Sequence, residues 1–336
     1  MKAMVFHKPH APLAAENRAS PKPRAGEVLI RVRACGVCHG DLMVQEGAFP
    51  FAKYPVVPGH EIAGTVQELG EGVDWLPLGA RVGLSALGSS CGHCAACLGA
   101  DEFLCDRLGF TGVTSDGGYQ EFMIANAAYV VALPDKLDFV EAAPLMCAGL
   151  TVFSALRHAG FEPGDRVAIV GLGGLGEMGV LYARAMGGRV AVASSTREKE
   201  GDSRTLGAEL FIHVKSQDVA ATLTHWEGGA DIILCTASSV ESANAAFAGL
   251  ARNGTLVLLG AGPGDVTLNP MVLVMGRRRV MGSPAGSRKD LRDALAFAAE
   301  YDVRPRVTRY SLEQAGEALG AMHDRALRGR AVLAMA

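Results

Sequence analysis

The sequence predicts an α/β protein made of a β-rich domain and a doubly wound parallel-sheet domain. Three observations predict it. Up to about residue 148, short alternating apolar segments are broken by Pro and Gly at close intervals. From about residue 150, strand-like and helix-like segments alternate, as they do where helices cross over a parallel sheet. Between one such strand and helix stands Gly171-Leu-Gly-Gly-Leu-Gly176. A length of 336 residues favours two domains over one, and 49% apolar residues is enough for sizeable cores.

Charge and termini narrow the function classes. Net charge is -3 and the isoelectric point is near 6.3, so neither nucleic acid nor an anionic membrane is expected as the main partner. The first ten residues lack the apolar run of a signal peptide. No stretch approaches the roughly 18 continuous apolar residues of a membrane span. A cytoplasmic location is therefore expected, where eight cysteines point to metal rather than to disulfides.

In chain order, Glu27-Val-Leu-Ile-Arg-Val-Arg33 alternates like a half-buried strand, and residues 61–69 and 80–85 read likewise. Between the first two lie Cys35-Gly-Val-Cys-His-Gly-Asp41 and Pro58-Gly-His-Glu61. Cys38 and His60 suit zinc, and each has a carboxylate nearby, Asp41 and Glu61. A catalytic zinc takes three protein ligands and keeps one position open, so a third ligand is expected from elsewhere. Asp41 is close enough in sequence to orient His60 from behind the metal. Two core residues and some turn glycines are the bland alternative, and for a lone Cys or His it usually holds.

Cys91, Cys94, Cys97 and Cys105 follow, at spacings of three, three and eight. Four thiolates close a tetrahedral shell around zinc and leave no place for substrate, so a structural site pinning a surface lobe over 88–108 is expected. Two disulfides are the alternative, which a reducing cytosol disfavours. His93 is read as exposed beside a filled shell. Residues 117–124 and 129–133 read as strands, and the pattern turns helical after Pro134. Cys147, just before the helix-like Val152–Arg157, is the candidate third ligand, although a Cys among Leu and Met is more often core.

In the α/β half, Arg166–Val170 reads as a strand and 178–186 as a helix, flanking Gly171, Gly173, Gly174, Leu175 and Gly176. A Gly-x-Gly-x-x-Gly pattern alone is weak; in this setting it is strong. Glycines let the backbone approach a pyrophosphate, which sits on the N–H groups opening the helix. The next strand, 189–193, ends in Ser194-Ser195-Thr196-Arg197. A fold preferring NAD places an acid there. Serines that can bond a 2′-phosphate, with Arg197 to pair with it, favour NADP(H) over NAD(H). Residues 230–235, 254–260 and 278–281 read as further strands, and 243–250 as a helix. Cys235 is read as core and Arg277 to Arg279 as a solvated face. The tail carries helix-like 290–300 and 312–322, then strand-like 330–334.

Taken together, Gly-Val-Cys38-His-Gly-Asp41, Pro-Gly-His60-Glu61, the four-cysteine lobe, Cys147 and Gly171 to Gly176 stand in the order found in one family. Over essentially its whole length the chain resembles the zinc-containing alcohol dehydrogenases of the medium-chain dehydrogenase/reductase family. The resemblance implies a GroES-like catalytic domain over 1–148, a Rossmann domain over 149–284 and a return to the first domain over 285–336. It implies Cys38, His60 and Cys147 as catalytic zinc ligands and Glu61 as an acid that in some members replaces bound water. It further implies two zincs per chain, Thr151 against the nicotinamide, Arg330 and His39 toward the cofactor pyrophosphate, and Phe49 and Leu87 in the substrate pocket. The function it implies is hydride transfer between NAD(P)(H) and an alcohol/aldehyde or ketone pair, in a homo-oligomer (dimer or tetramer). Gly40 departs from the pattern. The family usually has Ser or Thr there to pass on the alcohol proton, so reduction of a conjugated C=C or C=N bond is the alternative reaction. A zinc- and dinucleotide-binding protein without turnover is the alternative outside enzymes.

Overall fold

A computed structural model describes residues 1–260, 262–324 and 326–335. The chain forms two compact units, Met1–Leu150 with Ala285–Ala336, and Thr151–Pro284.

The first unit is organised by a seven-stranded sheet. Its order is Val307–Tyr310, Arg330–Ala334, Glu27–Gly36, Glu61–Leu69, Arg81–Leu84 and Val131–Ala132, with Phe122–Asn126 also pairing Glu27–Gly36. The long strand Glu27–Gly36 extends past Arg33 because Ala34 and Cys35 are small and apolar enough to be buried between neighbours on both sides. Register decides what meets at its end. Gly36 pairs with Glu61 on one side and with Val332 on the other. Antiparallel pairing of this kind places residues just beyond one strand's end beside residues just before the other's start. Cys38 and His60, separated by a long excursion in sequence, are thereby neighbours, and Arg330 arrives from the return segment.

Two strand-like readings are shortened. Residues 117–124 form a strand only over Phe122–Asn126. The N–H groups of Gly117 and Gly118 donate instead to Val57 O and Gly59 O, so this backbone is committed to the turn before His60. Residues 129–133 keep a strand at Val131–Ala132, preceded by a 3₁₀ turn, Ala127–Tyr129, capped by Asn126. The excursion Leu87–Phe110 is a small lobe closed by the two-stranded pair Leu87–Ser89 and Gly109–Phe110. Glu102 in this lobe is almost fully buried and pairs with Arg288 (2.7 Å), which opens the return helix Arg288–Glu300.

The second unit holds a six-stranded parallel sheet in the order Leu210–His213, Arg189–Ser194, Arg166–Val170, Ala230–Cys235, Leu250–Leu258 and Arg279–Gly282. Its central strands bury nearly every residue, as strands covered on both faces must. Residues 243–250 do not end in helix: the helix is Val240–Phe247, capped by Ser239, and Leu250 already starts the next strand. Arg278 corrects the expectation of a solvated Arg277–Arg279 face. Its guanidinium is half-buried and donates to the carbonyls of Leu250 and Val272, while Arg277 and Arg279 are exposed.

Among the described residues no single helix is long and apolar enough to cross a membrane.

Candidate functional site

Cys38 caps the start of the helix His39–Gln45, and Cys147 ends the 3₁₀ turn Ala143–Met146 before the helix Ala148–His158. His60 precedes the strand Glu61–Leu69. The fold brings Cys38, His60, Glu61 and Cys147 together with one ligand atom of each within 4.8 Å of every other. The Sγ atoms of Cys38 and Cys147 are 3.8 Å apart. Thiolates at about 2.3 Å from a tetrahedral zinc stand roughly 3.8 Å apart.

Asp41 organises this cluster from behind. It is 1% exposed. Its Oδ1 lies 3.1 Å from His60 Nδ1, which donates to it, leaving Nε2 to face the thiols. The pair of small-volume turns around it also donates, through Cys38 N and Gly59 N. Glu61 is fully buried and its Oε1 accepts from Arg330 Nη2, while Oε2 has no partner. Burial pushes its carboxyl up to about 8 even though Arg330 works in the opposite direction. The Cys38 thiol is held well below its usual range by the hydrogen bond from Cys147, with help from His60. An ionisable thiol, a positioned imidazole and an orphaned carboxylate oxygen are the donor set that zinc takes. The cluster therefore fits the metal.

The second cluster is Cys91, Cys94, Cys97 and Cys105, again within 4.8 Å of one another. All four are free thiols. Backbone N–H groups of His93 and Cys94 hold the Cys91 thiol down to about 5. The four thiols have no carboxylate or imidazole among them and fit a closed zinc shell. His93 is exposed and hydrogen-bonds Arg107.

In the second unit, Gly171 turns at φ +102°, and a Cβ there would stand 2.9 Å from Ala237 N. Thr236 Oγ1 donates to Gly171 O at 2.7 Å and fixes the turn. Gly173 caps the helix Gly174–Ala185 and has no side chain of its own to occupy the N–H groups that open it. Ser194 is buried, with Oγ accepting from Thr196 N; Ser195 and Arg197 are exposed. Sequence reasoning missed Lys199, whose Nζ reaches Leu172 O in the glycine loop at 2.6 Å. Its signal was only a lysine five residues past Ser194, which reads as surface.

The remaining candidates are placed as follows. Thr151 is buried on the helix after Cys147. Arg330 is buried and engaged by Glu61 and Val37 O. His39 is exposed. Phe49 is partly buried against Phe51, with ring centroids 5.6 Å apart. Leu87 is 1% exposed in the core of the first unit.

Two family models match the chain: "Alcohol dehydrogenase GroES-like domain" over residues 24–135 and "Zinc-binding dehydrogenase" over residues 174–300. The chain is 41% identical over 334 residues to an alcohol dehydrogenase of Geobacillus stearothermophilus, covering 99% of each chain. Among solved structures it is similar to CAD from Helicobacter pylori complexed with NADP(H), at TM-score 0.88 and 26% identity over 99% of this chain and 97% of that one. It is also similar to acetophenone reductase from Geotrichum candidum in complex with NAD, at TM-score 0.87 and 27% identity over 99% and 97%.

Proposed function

Because the chain belongs to the zinc-containing alcohol dehydrogenases of the medium-chain dehydrogenase/reductase family, we propose residue roles, a cofactor preference and a metal count within that activity. The protein is a zinc-dependent oxidoreductase using a nicotinamide cofactor, and its substrates are small alcohols and their carbonyl partners. When bound, zinc supplies Lewis-acid polarisation of the substrate oxygen, and the nicotinamide supplies or accepts the hydride.

Cys38, His60 and Cys147 hold the catalytic zinc, and the partnerless oxygen of Glu61 is the observation that carries this reading. Asp41 fixes the His60 tautomer so that Nε2 faces the metal. Arg330 engages Oε1 of Glu61, and the partnerless Oε2 is the atom Glu61 would offer to zinc. With Gly40 lacking a hydroxyl, exposed His39 takes the alcohol proton to solvent. Phe49 and Leu87 line the substrate side.

Cys91, Cys94, Cys97 and Cys105 hold a second, structural zinc, giving two per chain. The catalytic part is 1–148 with 285–336, and 149–284 binds the nucleotide. The pyrophosphate rests on Gly171, Gly173, Gly174, Leu175 and Gly176, and Thr151 packs on the nicotinamide. Two cations, Arg197 and Lys199, flank Ser194 and Ser195 where an acid would repel a 2′-phosphate, so NADP(H) is preferred. The enzyme works as a cytoplasmic homo-oligomer.

One experiment tests these roles together. Aldehydes, ketones, enals and alcohols are run with NADPH/NADP and NADH/NAD while zinc per chain is counted in wild type, Cys38→Ser and Cys97→Ser. Two zincs in wild type and one in each variant are expected, with activity lost in Cys38→Ser and thermal stability lost mainly in Cys97→Ser. One zinc in wild type, turnover of enals without turnover of alcohols, or a higher kcat/KM with NADH refutes the corresponding role.

A further inference from the structure

Tyr119 stands behind the candidate metal cluster and belongs to none of the motifs that identify it. It is fully buried. Its N–H donates to Pro58 O and its carbonyl accepts from Met4 N, so the backbone is held between the strand Lys2–Val5 and the turn leading to His60. A Cβ on Gly59, which has φ +100°, would overlap the Tyr119 ring, so the turn is shaped around this side chain. A phenylalanine would fill the same space. The hydroxyl is what needs explaining, and it donates to Asp41 Oδ2 at 3.0 Å.

The Asp41 carboxylate is shared evenly. Oδ1 faces His60 Nδ1 and Gly59 N, and Oδ2 faces Cys38 N and the Tyr119 hydroxyl. The terminal torsion of an aspartate is broad and is set by its partners rather than by its own rotamer well. Without the tyrosine hydroxyl, Oδ2 keeps one donor and the carboxylate gains freedom to swing. The acceptor that fixes His60 Nδ1 then loses its position.

We propose that Tyr119 is a positioning residue of the metal centre: through Asp41 its hydroxyl fixes the imidazole of His60 for zinc. The inference rests on the reading of Cys38, His60 and Cys147 as zinc ligands.

Zinc-loaded wild type, Tyr119→Phe, Asp41→Asn and the double variant are dialysed against graded EDTA, and zinc per chain is counted, with folding followed by circular dichroism. Partners behind a metal ligand are worth about 10–100-fold in affinity, so Tyr119→Phe is expected to give up one zinc at about tenfold lower EDTA. The other zinc, in the four-cysteine lobe, should leave at the wild-type concentration. Adding Tyr119→Phe to Asp41→Asn should change nothing further, because both act on one contact. Retention of both zincs at wild-type EDTA overturns the proposal. So does earlier loss of both zincs together, which marks general loosening, or a Tyr119→Phe chain that does not fold. Effects of the two substitutions that multiply overturn it as well. A wild type that binds only the lobe zinc overturns the metal reading itself, and this inference with it.

Discussion

Restoring the hydroxyl that the family carries at position 40 should harm this enzyme rather than help it. Gly40 is the second residue of the helix His39–Gln45 and is not among the residues with left-handed φ, so serine meets no backbone strain. The obstacle is His60. A Cβ on Gly40 would stand 2.9 Å from His60 Cε1 and 3.5 Å from Nε2. Carbon atoms pack at about 3.5–4.0 Å, so the ring must retreat by roughly 0.6 Å or more. Metal–ligand distances tolerate only about 0.2 Å. Asp41 holds the far side of the ring at 3.1 Å, so the ring cannot move without stretching that bond. Gly40→Ser is therefore expected to weaken the zinc on Cys38, His60 and Cys147 by about 10–100-fold, or about 1.4–2.7 kcal/mol. Its kcat on a primary alcohol should fall in step. Gly40→Ala should lose as much, because the Cβ rather than the hydroxyl is responsible. Chelator titration, zinc content and kcat on an alcohol and an enal, with melting temperature as the folding check, measure this. A Gly40→Ser protein with full zinc and faster alcohol oxidation, beside an unimproved Gly40→Ala, would refute the steric argument.

Two further outcomes are expected. Arg197→Ala should weaken NADP(H) by about 1–3 kcal/mol, the scale of a charge-assisted hydrogen bond, and leave NAD(H) nearly unchanged; KM for both cofactors checks it, and equal losses would place Arg197 elsewhere. Glu102→Gln leaves Arg288 facing a neutral partner at a site where the acid is 3% exposed. Because Arg288 is itself 37% exposed and screened by water, the expected loss is about 1–2 kcal/mol rather than that of a fully buried pair. It should appear as a lower melting temperature with the four-cysteine lobe giving up zinc first.

Much of the fold was legible because its signals are local. Strands 61–69, 166–170, 230–235 and 330–334 announce themselves by short apolar runs between Gly and Pro, and the structure has strands at Glu61–Leu69, Arg166–Val170, Ala230–Cys235 and Arg330–Ala334. Segments whose backbone is claimed by distant partners were not legible. Gly117 and Gly118 read as strand until Val57 and Gly59 take their N–H groups. Arg278 reads as a surface charge until Leu250, which starts the strand Leu250–Leu258, and Val272, in the helix Pro270–Gly276, present it with carbonyls.

For the site, the sequence by itself determined the inventory: which thiols, imidazole and carboxylates exist, and that Gly171 to Gly176 follow an apolar, strand-like run. Side-chain chemistry and short spacings are properties of the chain, so they survive without a fold. Only the tertiary structure decided which of these groups meet. The pairing of Gly36 with Glu61 and Val332 sets Cys38 beside His60 and brings Arg330 onto Glu61, and a slip of one residue in either strand would turn those side chains to the opposite face. The same holds for Tyr119, which has no motif to mark it. Its role comes from a hydroxyl 3.0 Å from Asp41, a residue 78 positions away, and contacts over such distances are fixed by packing rather than by spacing.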